Sequence, residues 1–394
     1  MSLKDGTVAT PQAGASQGVS YRIVVVSAAV FLVTCAVNLE MPLYRTYARA
    51  AGHGDGLTAL VFAAYVAGLL PTLLLLGGIS DRIGRKAALL IGLFFAITAT
   101  SVVIVSPTLR TLFLARVCQG IGVGLSVGAG TAYLAELAGS AEGAARAASY
   151  VAVTTALGFG GGSLFTGTVL LFTQSRVPIS YGVVLSCTVL TALLVSFLPP
   201  QQAKGGALLR LPHFPPHTFA INASIVLAWA VTGVVISLLP SQLAQRQLSG
   251  WGGHALFLVT GTGALFQPLA RKMVPHKAIQ LGFLLVPLGY GILVGGAWLG
   301  ILWMVLLGAS IAGSACYGFT YLGGLAEISK AGGESRARAV SGYFLFAYLG
   351  FGLPSIVVGF LSDRYGIFNS LVGFGGFIAL ASLVLGLSLR PART

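Results

Sequence analysis

LGFGGGSLFTG at 157–167 and LGFGLPSIVVG at 349–359 decide the fold of this chain. Set 192 positions apart, they share Leu, Gly, Phe, Gly, Ser and the closing Gly in register. The offset is close to half of the 394 residues. The chain therefore reads as two related halves, and a repeat of this kind defines architecture before any local signal does. The match extends backwards: AELAGSAEGAARAAS (135–149) aligns with AEISKAGGESRARAVS (326–341) given one inserted residue. That pairs Glu136 with Glu327, Glu142 with Glu334 and Arg146 with Arg338, while Pro42 and Gly52 are more faintly mirrored by Pro240 and Gly250. Gly158, Gly160, Gly162, Gly350 and Gly352 lie in apolar surroundings, where a missing Cβ lets helices pack closely.

Apolar surroundings are the rule here. The sequence is 56% apolar and 8% charged, with a mean hydropathy of +0.90, whereas a soluble domain carries roughly a quarter charged residues. Such a chain cannot cover a water-facing surface. Composition excludes a soluble enzyme, a disordered chain and a nucleic-acid module, and indicates an integral membrane protein.

A helix needs ~20 mainly apolar residues to cross the hydrocarbon core, because lipid offers its backbone no hydrogen-bond partners. Twelve such runs are predicted: 22–44, 57–80, 87–106, 111–137, 148–172, 178–198, 218–240, 253–270, 278–297, 299–325, 341–361 and 368–389. The expected organisation is a flexible tail (1–20), a six-helix bundle (21–198), a polar Pro-rich central loop (199–217), a second six-helix bundle (218–389) and a short tail (390–394). Six is even, so the halves share orientation and should be related by a pseudo-two-fold axis along the membrane normal. No signal-peptide pattern precedes the first span.

The net charge of +14 is explained by where the bases fall. Sixteen Lys and Arg lie on the side holding both termini, six lie opposite, and Arg116 is within a span. The positive-inside rule then places both termini in the cytoplasm. No nucleic-acid partner is needed. Cys35, Cys118, Cys187 and Cys316 fall inside spans at unrelated spacings, so neither a disulfide framework nor a metal site is expected.

GGISDRIGRKAALL (77–90), between spans 2 and 3, resembles motif A of the major facilitator superfamily, and ARVCQGIGVG (115–124) resembles its motif B. With twelve spans, the central loop and the repeat, the resemblance covers essentially the whole chain. Motif C of the antiporters is half matched: Gly158, Gly160, Gly161 and Gly162 are present, the Gly-Pro step is not, and Pro354 stands at the mirrored site. The resemblance implies an all-α transporter whose two bundles rock to give alternating access, with spans 1, 4, 7 and 10 lining a central cavity. It implies a cytoplasmic gate at Gly77, Asp81, Arg82, Gly84, Arg85 and Lys86. In such a gate a carboxylate can cap a neighbouring helix and pair with Arg82 or Arg85. The alternative is that these bases only fix topology. The counterpart ARKMVPHK (270–277) lacks the acid, and GFLSDRYG (359–366) copies the kernel on the opposite side, where it either pins spans 11 and 12 or makes an ordinary turn.

Glu40 and Arg116 are the ionisable residues well inside spans, where a charge costs on the order of 2.5–3.5 kcal/mol. Both fall ~10–12 Å from the midplane by helix rise, so they could face each other as an ion pair. Two readings stand. Either Glu40 binds a proton or a cationic substrate under the control of Arg116, or it snorkels to the interface as a static partner of Arg116 or Arg45. Asn38, Gln119, Tyr133, Asn222, Trp229, Tyr317 and Tyr321 are the further polar and aromatic residues on cavity helices, with Tyr317 and Tyr321 expected as an i,i+4 pair. A cavity with so few polar groups suits a moderately lipophilic ligand.

The nearest likeness is the twelve-helix drug:proton antiporter branch, which implies export of a small organic compound by a monomer in the plasma (bacterial inner) membrane. The rival is a proton-coupled importer of a small metabolite. A membrane enzyme would need several clustered acids or histidines, and a non-transporting receptor would need large soluble loops. There is no G-x-x-x-x-G-K-[ST] loop, so the proton gradient, with no cofactor, is the expected energy source.

Overall fold

The computed structural model describes residues 13–138, 140–200, 205 and 211–388, without the side chains of 13–20, 141 and 144–148. The extreme tails, residues 201–204 and 206–210 of the central loop and the side chain of Arg146 lie outside the described residues. Helix is the only regular structure among the described residues. The long helices are α1 (Ala13–Val37), α2 (Asp55–Leu75), α3 (Arg85–Val105), α4 (Leu109–Ala138), α5 (Ala141–Leu170) and α6 (Ile179–Ser196) in the first half. The second half contributes α7 (Phe219–Ala244), α8 (Gly252–Ala270), α9 (Pro275–Leu299), α10 (Leu302–Ala331), α11 (Arg336–Tyr365) and α12 (Ile367–Ser388). Eleven are long and apolar enough to cross a membrane. The twelfth, α8, has 19 residues and carries His254 and Gln267.

Two boundaries differ from expectation. α1 opens at Ala13, inside the stretch expected to be a tail, and it stops at Val37 rather than running on to 44. Pro42 has no N–H to continue the helical ladder. The chain passes through a 3-10 turn (Met41–Leu43) into a short helix, Tyr44–Ala50.

Within the first half α3 packs on α4, α2 on α4 and α1 on α5; in the second, α9 packs on α10 and α7 on α11. The bundles meet where α2 lies against α11 and α5 against α8. The repeated glycines show why. A Cβ on Gly158 would strike Phe31 and Thr34 of α1, and one on Gly350 would strike Val226 of α7, so each packs on the first helix of its own bundle. One on Gly160 would meet Phe257 and Thr260 of α8, and one on Gly352 would meet Ala63 and Val66 of α2, so each packs on the second helix of the other bundle. Gly167 and Gly359 continue the same roles, against Gly253 and against Asp55, Gly56 and Ala59. Equivalent residues thus make equivalent contacts after exchange of the halves, as the pseudo-two-fold requires. The first half of the repeat also holds Gly162 against the Cys35 carbonyl.

Candidate functional site

The break after Val37 builds the site. Carbonyls of a helix's last turn have no partner further along the chain, and here α4 supplies them. Arg116 Nη1 donates to Val37 O at 2.6 Å, and Gln119 Nε2 donates to Ala36 O at 2.9 Å. Spacing of three on α4 puts both side chains on one face. Asn38 lies in the break itself and donates through Nδ2 to Phe159 O at 2.7 Å, fixing the break to the glycine-rich stretch of α5.

Glu40 sits in the same break with no solvent exposure. Its two carboxyl oxygens both face Gln119 Nε2, at 3.1 and 3.2 Å. Arg116 is equally buried and donates to Gln119 Oε1 at 3.0 Å, with Phe62 O at 3.5 Å from Nη2. The expected direct ion pair is therefore replaced by a bridge in which one amide holds the acid on one side and the base on the other. Interfacial snorkelling is also overturned, since Glu40 reaches no surface. Arg45 turns instead to the Ser241 carbonyl of α7.

Arg116 is wrapped in rings. Its Cζ lies 4.9 Å from the Tyr65 centroid, 5.4 Å from Phe62 and 6.0 Å from Tyr44, distances at which the ring faces stabilise a cation. From there aromatic contact crosses to the second bundle: Phe62 to Phe351 at 4.7 Å, Tyr65 to Phe351 at 6.5 Å, and Phe351 to Trp229 at 6.1 Å. Trp229 then meets Tyr348 at 5.0 Å and Tyr317 at 5.6 Å. Trp229 Nε1, Tyr65 Oη and Tyr44 Oη are buried without a protein partner. A belt of rings with a few unpaired donors can hold a flat, largely apolar molecule and orient it through hydrogen bonds.

The expected cavity residues divide. Asn38, Gln119, Trp229 and Tyr317 belong to this region. Tyr133 does not, because its hydroxyl donates to Pro199 O at 3.2 Å at the far end of α4. Asn222 is near the start of α7, donating to Thr218 Oγ1 at 3.3 Å. Tyr317 lies in a π-helical stretch, Ser314–Thr320, and Tyr321 follows it, 6.1 Å from Phe344, whose ring is 6.3 Å from Tyr348. Phe62, Tyr65, Tyr348 and Phe351 escaped the sequence reading, although each pair is spaced by three on its helix.

At the gate motif, Asp81 pairs with Arg85 at 2.5 Å, and Arg85 also reaches Ser80 Oγ (2.7 Å) and Glu136 (3.5 Å). Lys86 donates to the Ser196 and Leu198 carbonyls at 2.6 and 2.8 Å, capping the end of α6. Gly84 turns the chain at φ +90°, a conformation that favours glycine, whereas Gly77 is not among the positive-φ residues. Arg82 is exposed beside them.

Two six-helix bundles related by an axis through their interface, with a buried polar and aromatic site where they meet, define the fold of a secondary transporter. Residues 26–355 match the model of the Major Facilitator Superfamily, and the chain belongs to that superfamily. It is similar in fold to the nucleoside transporter NupG (14% identity, TM-score 0.74), covering 94% of this chain and all of that one. It is likewise similar to a bacterial homolog of the human lysosomal transporter Spinster in an inward-facing, unoccupied conformation (17% identity, TM-score 0.73), over 98% of this chain and 100% of the other. In sequence it is similar to Multidrug resistance protein MdtL of Vibrio parahaemolyticus serotype O3:K6 (strain RIMD 2210633), 35% identical over 65 residues, 16% of each chain. Multidrug resistance protein D of Escherichia coli (strain K12) is 31% identical over 90 residues, 23% of each chain. These alignments span less than a quarter of either relative's length.

Proposed function

We propose that this superfamily member is a proton-coupled exporter of a small, moderately lipophilic organic compound. It works as a monomer in the plasma membrane, the bacterial inner membrane, with both termini in the cytoplasm. The observation that carries this reading is Glu40, a carboxyl buried at a helix break and held by the Gln119 side-chain amide, with no cation in direct contact. Such a group can take up and release a proton as the site changes exposure. The belt from Tyr65 to Trp229 supplies the lipophilic surface, and the short sequence likenesses to multidrug resistance proteins support efflux. Asp81, Arg85 and Glu136 form the cytoplasmic gate in this reading.

Reconstituted vesicles test it. Candidate compounds are first screened by thermal shift, since a ligand that favours the folded state stabilises by RT ln(1 + [L]/Kd). With an imposed pH gradient, the wild type accumulates the compound against its concentration gradient. Glu40→Gln is expected to lose that accumulation while still equilibrating the compound passively. Full gradient-driven transport by the variant would eliminate Glu40 as the coupling group. An exporter and an importer acidify opposite compartments when substrate is added, which settles direction.

A further inference from the structure

SDRIG at 80–84 recurs as SDRYG at 362–366, and the two kernels build one turn twice. Gly84 has φ +90° and ψ 151°, and Gly366 has φ +85° and ψ 148°. The second kernel ends α11, on the face of the molecule that also carries the α1–α2 and α7–α8 turns. The sequence leaves it either pinning α11 to α12 or making an ordinary turn. Instead it reaches across the bundle interface. Asp363 Oδ1 accepts from Asp55 N at 2.7 Å, and Oδ2 accepts from Gly56 N at 3.0 Å. These amides open α2 and have no intrahelical partner, and a carboxylate there also meets the positive end of the helix dipole.

Four further contacts lie on the same face. Asp55 Oδ1 accepts from Ser241 Oγ of α7 at 2.6 Å, and Oδ2 accepts from Ser362 Oγ at 2.9 Å. Arg45, from the short helix after α1, donates to the Ser241 carbonyl. Thr168 and His254 meet at 3.3 Å between α5 and α8 on the same face. A Cβ on Gly54 would collide with the Asp363 carboxylate, so the approach depends on that glycine.

The geometry points to a second latch: Asp363 holds α11 to the N-terminus of α2, keeps this face of the transporter shut, and must let go before the face can open. α2 and α11 pack together across the interface; α11 ends within the second kernel, and the first follows α2 in the short helix Ile79–Ile83. Asp81, in that short helix on the opposite face, pairs with Arg85 of its own bundle. Asp363 instead bonds to the other bundle. Asp363 is a positioning residue for the transport cycle, setting how readily the closed face opens. Only the naming of that face as the outer one rests on the orientation proposed above.

The test is a pair of spin labels across this face, at Gln174→Cys in the first bundle and Gln245→Cys in the second. The protein is in lipid nanodiscs, with its four native cysteines replaced. Wild type should show chiefly the short separation. Asp363→Asn is expected to raise the ratio of long to short separations about tenfold, the size associated with losing a charged helix cap. Gly54→Ala should do the same with the charge retained; Gly54 has φ −89°, so alanine is tolerated locally and only displaces the carboxylate. Asn369→Ala, exposed on α12, should leave the distribution unchanged. If monodisperse Asp363→Asn and Gly54→Ala both keep the wild-type distribution, the latch is refuted. A membrane-impermeant thiol reagent on intact cells reports orientation separately. Failure to label Gln174→Cys would overturn the cytoplasmic placement of the termini without touching the latch.

Discussion

Gln119→Leu is the most direct test of how the buried site is held together. Leucine fills nearly the same volume, so the change removes polar contacts without opening a cavity. Those contacts are donation to Ala36 O at 2.9 Å and to the two Glu40 oxygens at 3.1 and 3.2 Å, and acceptance from Arg116 at 3.0 Å. Each buried polar group left without a partner costs about 1–3 kcal/mol. Arg116 keeps Val37 O at 2.6 Å, so the loss falls mainly on the carbonyl and the carboxyl and comes to about 3 kcal/mol. With an unfolding entropy of ~2.1 cal/mol/K per residue over 394 residues, that is a fall in Tm of about 4 °C. Differential scanning fluorimetry of purified protein reads it. Glu40→Leu added to Gln119→Leu removes the orphaned carboxyl and should restore at least ~1 kcal/mol, because replacing both partners by apolar groups costs less than stranding one. A Tm loss below about 1 °C for Gln119→Leu, or strict additivity of the two changes, would refute the bridge.

Two further expectations concern the glycines. Gly253→Leu places a side chain against the Ser163 carbonyl and Gly167 at the α5–α8 crossing. Overpacking by roughly 1–3 kcal/mol there should slow initial transport rates on the order of tenfold in vesicles. Gly84→Ala and Gly366→Ala both force a left-handed φ on a residue with a Cβ. Each should lower stability by about 1–2 kcal/mol, measured as matched falls in Tm.

The sequence displayed the architecture because the constraint is written in glycine. Gly158 with Gly350, and Gly160 with Gly352, occupy equivalent helix crossings, and a Cβ would clash at the first three and be tight at Gly352, so the repeat stayed readable where ordinary apolar residues interchange. Glu40 and Arg116 were legible for the opposite reason: lipid makes a buried charge expensive, so its presence in a span is informative. What joins them was not legible. Gln119 is one polar residue among many, and its role depends on α1 stopping at Val37, which depends on Pro42. Tyr321 joins the rings through Phe344, 6.1 Å away, which lies 6.3 Å from Tyr348, a link that spacing along one helix does not reveal. Phe62, Tyr65, Tyr348 and Phe351 are unremarkable in an apolar chain and acquire meaning only through the crossing of α2 and α11. The second SDR kernel was visible as a motif, yet its partner, two backbone amides of α2, carries no sequence signature.

These parts share a short stretch of chain. Glu40 and Arg45 are separated by a 3-10 turn and the start of one short helix. Glu40 is held by Gln119, whereas Arg45 grips the Ser241 carbonyl, and Ser241 in turn donates to Asp55 beside the Asp363 latch. A change in the carboxyl that loosens Gln119 acts first on the end of α1, since the same amide holds Ala36 O. Contiguity of this kind transmits free energy only through an element with two arrangements. The segment after the break is too short to be stable as an isolated helix, and it contacts both bundles, through Arg45 to Ser241 and through Tyr47 to Arg176 and Tyr181. The proposed proton site and the proposed latch therefore bear on the same few residues. The contacts that link them run through the short stretch from Glu40 to Arg45 and on to Ser241 and Asp55.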